Sequence, residues 1–233
     1  MLIGALATDY DGTLAAHGEV SAATLAALDR LQASGRKLIM VTGRELPDLR
    51  RVFSQTERFD AIVAENGALL WTPALGERQL AASPPPDFIA ALRARELEPL
   101  AVGRSIVATA DENAPQVAET LAALGLDWRL ILNKDSVMVL PPGVDKASGL
   151  DAALSALGLA AESVLGVGDA ENDLAFLRVC GVSAAVANAL PDVKAAADIV
   201  TPYDDGAGVA WLIDRLLEDP EAFAPRQPAG AAR

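Results

Sequence analysis

The chain has 233 residues and a mass of 24.1 kDa, enough to bury a sizeable core, and 52% of it is hydrophobic although aromatic residues supply only 4%. Nineteen basic side chains face 32 acidic ones, for a net charge of −13 and a pI near 4.4, so the overall field repels nucleic acid polymers and anionic membranes. The lone Cys180 excludes an intramolecular disulfide, and the lone His17 excludes a multi-histidine zinc site within one chain. No apolar run has the length of a membrane span and the first residues carry no basic leader, so the expectation is a soluble, cytoplasmic protein, monomer or homodimer.

In chain order, Leu2 to Thr8 is an almost unbroken apolar run, as expected of a strand covered on both faces, and it stops at Asp9. Ser21 is placed to cap a helix from Ala22 to Ala33, with leucines at helical spacing and Gly35 at its end. A second strand spans Lys37 to Val41, a helix Pro47 to Phe53, and a third strand Ala61 to Ala64. Glu65-Asn66-Gly67 then marks a tight turn toward a hairpin partner, Ala68 to Trp71. After the prolines at 84–86 the texture changes. Helices are expected at Asp87 to Glu98 and Pro115 to Leu124, with extended segments at Leu100 to Thr109, Trp128 to Leu132 and Val137 to Leu140. From residue 143 strand and helix alternate again. Helices are expected at Ala147 to Leu157, Leu174 to Val179, Pro191 to Ala197 and Val209 to Leu217, and strands at Val164 to Val167, Val182 to Val186 and Ile199 to Val200.

This order predicts an α/β fold: a Rossmann-like parallel-sheet core from residues 1–80 and 143–217, with a smaller α+β insertion at 81–142 and a flexible tail at 218–233. Ligands of such sheets bind beyond the carboxyl ends of the strands. Three loops there carry chemistry. In Asp9-Tyr10-Asp11 the two carboxylates project to one side while the backbone is extended, so either a cation neutralises them or one keeps its proton. An ordinary Asp-Gly turn at Asp11-Gly12 is the alternative, whereas the ligand ladder of an EF-hand is missing. Thr42-Gly43 offers a hydroxyl and an open backbone N–H to a phosphate oxygen. In Gly168-Asp169-Ala-Glu-Asn172-Asp173, Glu171 stands where a dinucleotide fingerprint needs glycine. The oxygen donors Asp169, Asn172 and Asp173 suit a hard cation such as Mg²⁺, with helix capping as the competing explanation. Lys146 stands at a helix start, where an ammonium is unfavourable unless an anion lies beside it, although a solvated lysine is the plainer alternative.

Taken together, Asp-x-Asp-Gly-Thr, Thr-Gly-Arg, Lys and Gly-Asp-x-x-Asn-Asp, in this order between Asp9 and Asp173, resemble the haloacid dehalogenase superfamily of phosphotransferases. The position of the insertion resembles subfamily IIB, whose C2-type α+β cap is shared by Cof-like sugar phosphatases, sucrose-phosphate phosphatases and archaeal phosphoglycolate phosphatases. The segments Glu65-Asn66-Gly67-Ala68 and Val186-Ala187-Asn188-Ala189 look like that branch too. The resemblance implies an Mg²⁺-dependent hydrolase of small phosphorylated metabolites. Asp9 would be the nucleophile that forms an aspartyl-phosphate and Asp11 the general acid and base. Asp9, Asp11, Asp169, Asn172 and Asp173 would hold or support the metal, and Asp11, Gly12, Thr42, Gly43 and Lys146 would bind the phosphoryl group, with Thr42 and Lys146 also stabilising charge in transfer. Arg44, Asn66 and Asn188 are substrate candidates on the core, and Arg104, Arg129, Asn133 and Lys134 on the insertion. A phosphomannomutase-like sugar phosphomutase and a non-catalytic binding protein are the alternative functions.

Overall fold

The computed structural model describes residues 2–133, 135–219, 221 and 223. Its larger sheet contains eight strands among the described residues, in the order β12-β11-β10-β1-β2-β3-β4-β5. The strands on the first side of the switch are β1 (Ala5–Thr8), β2 (Lys37–Val41) and β3 (Ala61–Ala64); on the other are β10 (Val164–Gly168), β11 (Val182–Ala185) and β12 (Ile199–Val200), and all six pair in parallel. Two antiparallel strands, β4 (Leu69–Thr72) and β5 (Gly76–Gln79), extend the β3 edge. Chain order runs outward from β1 in both directions, so β1, between β10 and β2, is the topological switch point where ligands bind in such sheets.

The central parallel strands β1, β3 and β10 and all of β2 beyond Lys37 are buried and almost wholly apolar because helices cover both faces, whereas the short edge strand β12 leaves Val200 exposed. These helices are α1 (Ala22–Ala33), α2 (Leu46–Val52), α5 (Lys146–Leu157), α6 (Leu174–Val179), α7 (Pro191–Ala196) and α8 (Asp205–Glu218). The side chain of Ser21 accepts from the Thr24 N–H at the start of α1, as the sequence indicated. Among the described residues no helix is long and apolar enough to cross a membrane.

Between β5 and α5 lies the inserted α+β unit: α3 (Pro86–Ala94), β6 (Leu100–Val102), β7 (Val107–Ala110), α4 (Ala114–Ala123), β8 (Arg129–Asn133) and β9 (Ser136–Leu140). Its four strands form an antiparallel sheet ordered β6-β7-β9-β8. Alternation gives each face its task. Val107 and Val139 pack under Phe88 and Leu92 of α3 and Val117 and Leu121 of α4, while Ala108 and Met138 turn to the opposite face, toward the core sheet. The unit is thus a cap standing over the switch point.

Several boundaries differ from those read in the sequence. The segment Leu100 to Thr109 is not one strand but the β6–β7 hairpin, turning at 103–106. Helix α3 ends at Ala94 rather than Glu98, and α8 begins at Asp205 rather than Val209. Strand β5 was not foreseen, since Gly-Glu-Arg-Gln on the outer edge has no apolar face to bury. Most of the expected tail lies outside the described residues, and Phe223, one of the few described, is buried in the core cluster.

Candidate active site

The site grows out of the loops after β1, β2 and β10, together with the start of α5. After β1 the chain curls back on itself, with the backbone N–H groups of Leu14 and Ala15 donating to Tyr10 O and Gly12 at a φ of 83°. The curl brings the Thr13 hydroxyl to Asp169 Oδ1 at 2.9 Å, a bond joining the first motif to the last. Asn188 secures the same loop, donating to Gly12 O at 2.8 Å and pairing with the backbone and side chain of Asp205, so it holds the loop from the outside.

Lys146 sits at the centre. Asp145 caps α5 through a reciprocal bond with Ser148, which sets the helix start and sends Lys146 inward. Although only 2% exposed, its ammonium donates to Asp9 Oδ1 at 2.6 Å and to Asp173 Oδ1 at 2.5 Å. The other oxygen of Asp173 accepts from the backbone N–H groups of Asp169 and Ala170, at 2.8 and 3.0 Å, folding the β10 loop around itself. Burial works to lower the pKa of Lys146, but Asp173 and Asp9 overcome it and push it upward, so the ammonium persists at any physiological pH.

Asp9, Asp169 and Asp173 form one buried cluster, each offering an oxygen within 4.8 Å of the others. With three carboxylates against one lysine, burial pushes the Asp9 carboxyl up to about 8, Lys146 opposing and Asp173 and Asp169 adding to the rise. Nearby, Asn172 donates to Asn66 Oδ1 at 3.0 Å, while its own Oδ1 is buried without a hydrogen-bond partner. An all-oxygen donor set with excess negative charge and an orphaned carbonyl fits a hard divalent cation.

Asp11 departs from the expected picture. Its carboxylate belongs not to the Asp9 cluster but to Arg44, whose Nε and terminal nitrogen grip it at 2.6 and 2.7 Å. Arg44 also donates to Asp48 at 2.5 Å. Repulsion between Asp9 and Asp11 is therefore relieved by an arginine two residues beyond Thr42. The Thr42 hydroxyl accepts from the Arg44 N–H at 3.1 Å, and the Gly43 Cα lies under Met138, where a Cβ would approach Cε to 2.8 Å.

Asn66 is fully buried and donates to Met138 Sδ, so it joins core to cap, and it also lines a small cavity beside Lys146 and Asn172. Arg104 pairs with Glu77, and Arg129 lines the same cavity as Asn66. The Asn133 side chain and Lys134 lie outside what the structure describes.

Sequence reasoning assigned no role to Glu65, yet it is 1% exposed and accepts from the backbone N–H groups of Arg104 and Ser105 in the β6–β7 turn, at 3.1 and 2.8 Å. Its backbone φ of 52°, repeated at Asn66 and followed by 106° at Gly67, holds three left-handed residues in a row. Helix α5 closes on this turn at backbone distance: a Cβ on Gly67 would lie 1.9 Å from Asp145 O, and one on Gly149 2.5 Å from Gly67 Cα. The Glu65→Ala variant is expected to lose about 1 to 3 kcal/mol of stability, because the buried Ser105 N–H and the part-buried Arg104 N–H are left without their carboxylate. Urea unfolding would show it; a midpoint equal to wild type would deny the carboxylate that role.

A sequence profile of haloacid dehalogenase-like hydrolases matches residues 6–86 and 107–213. A phosphoglycolate phosphatase of Methanothermobacter thermautotrophicus is 31% identical over 91% of this chain and 98% of its own length. Among solved structures, a protein of Thermoplasma acidophilum superposes with a TM-score of 0.79 at 18% identity, over 93% of this chain and 99% of the other. A sugar phosphatase of HAD subclass IIB gives 0.73 at 19%, over 92% and 98%. On the match across both halves of the core and the full-length relative, the chain belongs to the haloacid dehalogenase-like hydrolases.

Proposed function

We propose that the chain is an Mg²⁺-dependent phosphomonoester hydrolase acting on a small phosphorylated metabolite, a sugar phosphate or phosphoglycolate, through an aspartyl-phosphate. The observation that carries this reading is the buried Lys146 bridging Asp9 and Asp173 beside Asp169, at the switch point of the sheet. The family membership and the phosphatase relatives support it.

With Oδ1 held by Lys146, Asp9 would attack phosphorus through its other oxygen, and the bond from phosphorus to the leaving oxygen would break. Asp11 would protonate that oxygen, and then take a proton from the water that cleaves the bond between Asp9 and phosphorus, releasing phosphate. Because Arg44 holds both oxygens of Asp11, this proton work calls for Arg44 to move toward Asp48, which already accepts from it. Thr42, the Gly43 N–H and Lys146 would hold the remaining phosphoryl oxygens, so that positioning and electrostatics do much of the work. The cation would be held by Asp9, the Asp11 carbonyl and Asp169, with Asn172 at hand. When bound it supplies Lewis acidity and neutralises a phosphate that the carboxylates repel. Asp173, with one oxygen on Lys146 and the other on two backbone donors, acts by aiming its neighbours.

Hydrolysis of p-nitrophenyl phosphate is expected to vanish in EDTA and return with added Mg²⁺. Since a ligating carboxylate must be ionised and Asp9 is raised to about 8 without metal, binding at pH 7 should release about one proton, and affinity should rise with pH up to about 8. Calorimetry in two buffers of different ionisation enthalpy measures that proton. Turnover undiminished by EDTA would overturn the metal assignment.

A further inference from the structure

Beside the carboxylate cluster a cavity of about 490 Å³ opens between core and cap, and its two walls differ in kind. The cap wall is apolar. Ala101 stands opposite Ala108 and Ala108 opposite Met138, one row across the cap sheet, with Ile106 next to it. The core wall is acidic. It carries Asp11, Glu45 and Asp48, and among the described residues that line the cavity the one cation is Arg44, already spread over Asp11 and Asp48, the latter also held from outside by Arg51. Burial first, then the carboxylates of Glu65 and Asp48, raise the Glu45 carboxyl above its usual range, as a region of negative potential requires. Asp9, at the floor, is answered by Lys146 beneath it, but among the described residues no ion pair to Glu45 is formed.

A phosphate ester attacked by Asp9 and protonated by Asp11 has its leaving group in this cavity. Carboxylates facing it accept hydrogen bonds from hydroxyl groups, and the apolar wall accommodates a carbon skeleton. A leaving group with its own carboxylate would meet like charge at short range with its natural counter-ion, Arg44, still held by Asp48 once Asp11 is released.

We infer that Glu45 and Asp48 set specificity for the leaving group, admitting uncharged, hydroxyl-bearing phosphate esters and rejecting those whose leaving group bears a carboxylate. This rests on the phosphatase reading and narrows it, against the name of the phosphoglycolate relative.

The test compares kcat/KM for glycerol 1-phosphate and 2-phosphoglycolate, in saturating Mg²⁺ at fixed ionic strength, for wild type and Glu45→Gln. Wild type is expected to favour glycerol phosphate by at least about tenfold, and Glu45→Gln to move the ratio toward phosphoglycolate by about tenfold. Raising salt should narrow the wild-type ratio, because screening weakens the repulsion. A wild-type preference for phosphoglycolate, or a ratio indifferent to both Glu45→Gln and salt, overturns the inference. Should the variant not fold, the wild-type ratio and its salt dependence decide alone. Failure to hydrolyse p-nitrophenyl phosphate at all would instead sink the phosphatase reading, so the two failures are told apart.

Discussion

Asp9→Asn is expected to lower turnover of any phosphate ester by on the order of 10⁴-fold or more, while leaving the fold intact. An amide in place of the carboxylate is a poor nucleophile, and no phosphoenzyme can then accumulate on this side chain. The site tolerates the exchange structurally, since the amide oxygen can still accept from Lys146 and one negative charge is removed from a crowded cluster. Rapid acid quench followed by mass spectrometry should find phosphate attached to Asp9 in wild type and no phosphate in the variant. Activity within tenfold of wild type would mean that another group attacks phosphorus.

Lys146→Met should have the largest effect on stability. Methionine fills much of the lysine volume but removes the one ammonium set between Asp9 and Asp173, leaving the fully buried Asp173 carboxylate without its cation. Breaking such a pair from one side costs about 3 to 5 kcal/mol, which for a chain of this size lowers Tm by about 10 °C. Calorimetric scans of the metal-free proteins would measure it. Added Mg²⁺ should recover part of the loss in the variant, because a divalent cation restores some of the missing positive charge. A variant as stable as wild type would show that Asp9 and Asp173 are relieved by other means.

How far the amino-acid order foretold this molecule depends on how local each cause is. Ala22–Ala33, Lys37–Val41, Ala61–Ala64 and Leu174–Val179 were legible to the residue, because an apolar run or helical periodicity begins and ends at a visible capping or turn residue. The turn at Gly103-Arg104-Ser105 was not, because its donors are satisfied by Glu65, far away in the chain. The acidic loops were legible for a topological reason: in a parallel sheet the ends of β1, β2 and β10 share one edge, so Asp9, Thr42 and Asp169 were bound to meet. Which carboxylate pairs with which cation was not, since motif spacing says nothing of side-chain direction. Asp11 was expected to crowd Asp9 and turns instead to Arg44. Asn66 carried a turn signal and proved to be a buried link to the cap as well.

The bare contact between Gly67 and Gly149 makes the positions of the Glu65–Gly67 turn and of α5 a single dimension. With only hydrogen atoms between the turn and α5, the backbone of the helix is seated on the backbone of the loop, as a workpiece is seated on a stop, and flexible side chains add no play at that point. A methyl group at either glycine would act as a shim. It would lift the helix start, carry the Lys146 ammonium away from Asp9, and shift Asn66 relative to the cap in the same stroke. Misplacement by about 1 Å can cost an enzyme about 10²-fold in rate. The accuracy of the charged centre is therefore set by two residues that have no side chain.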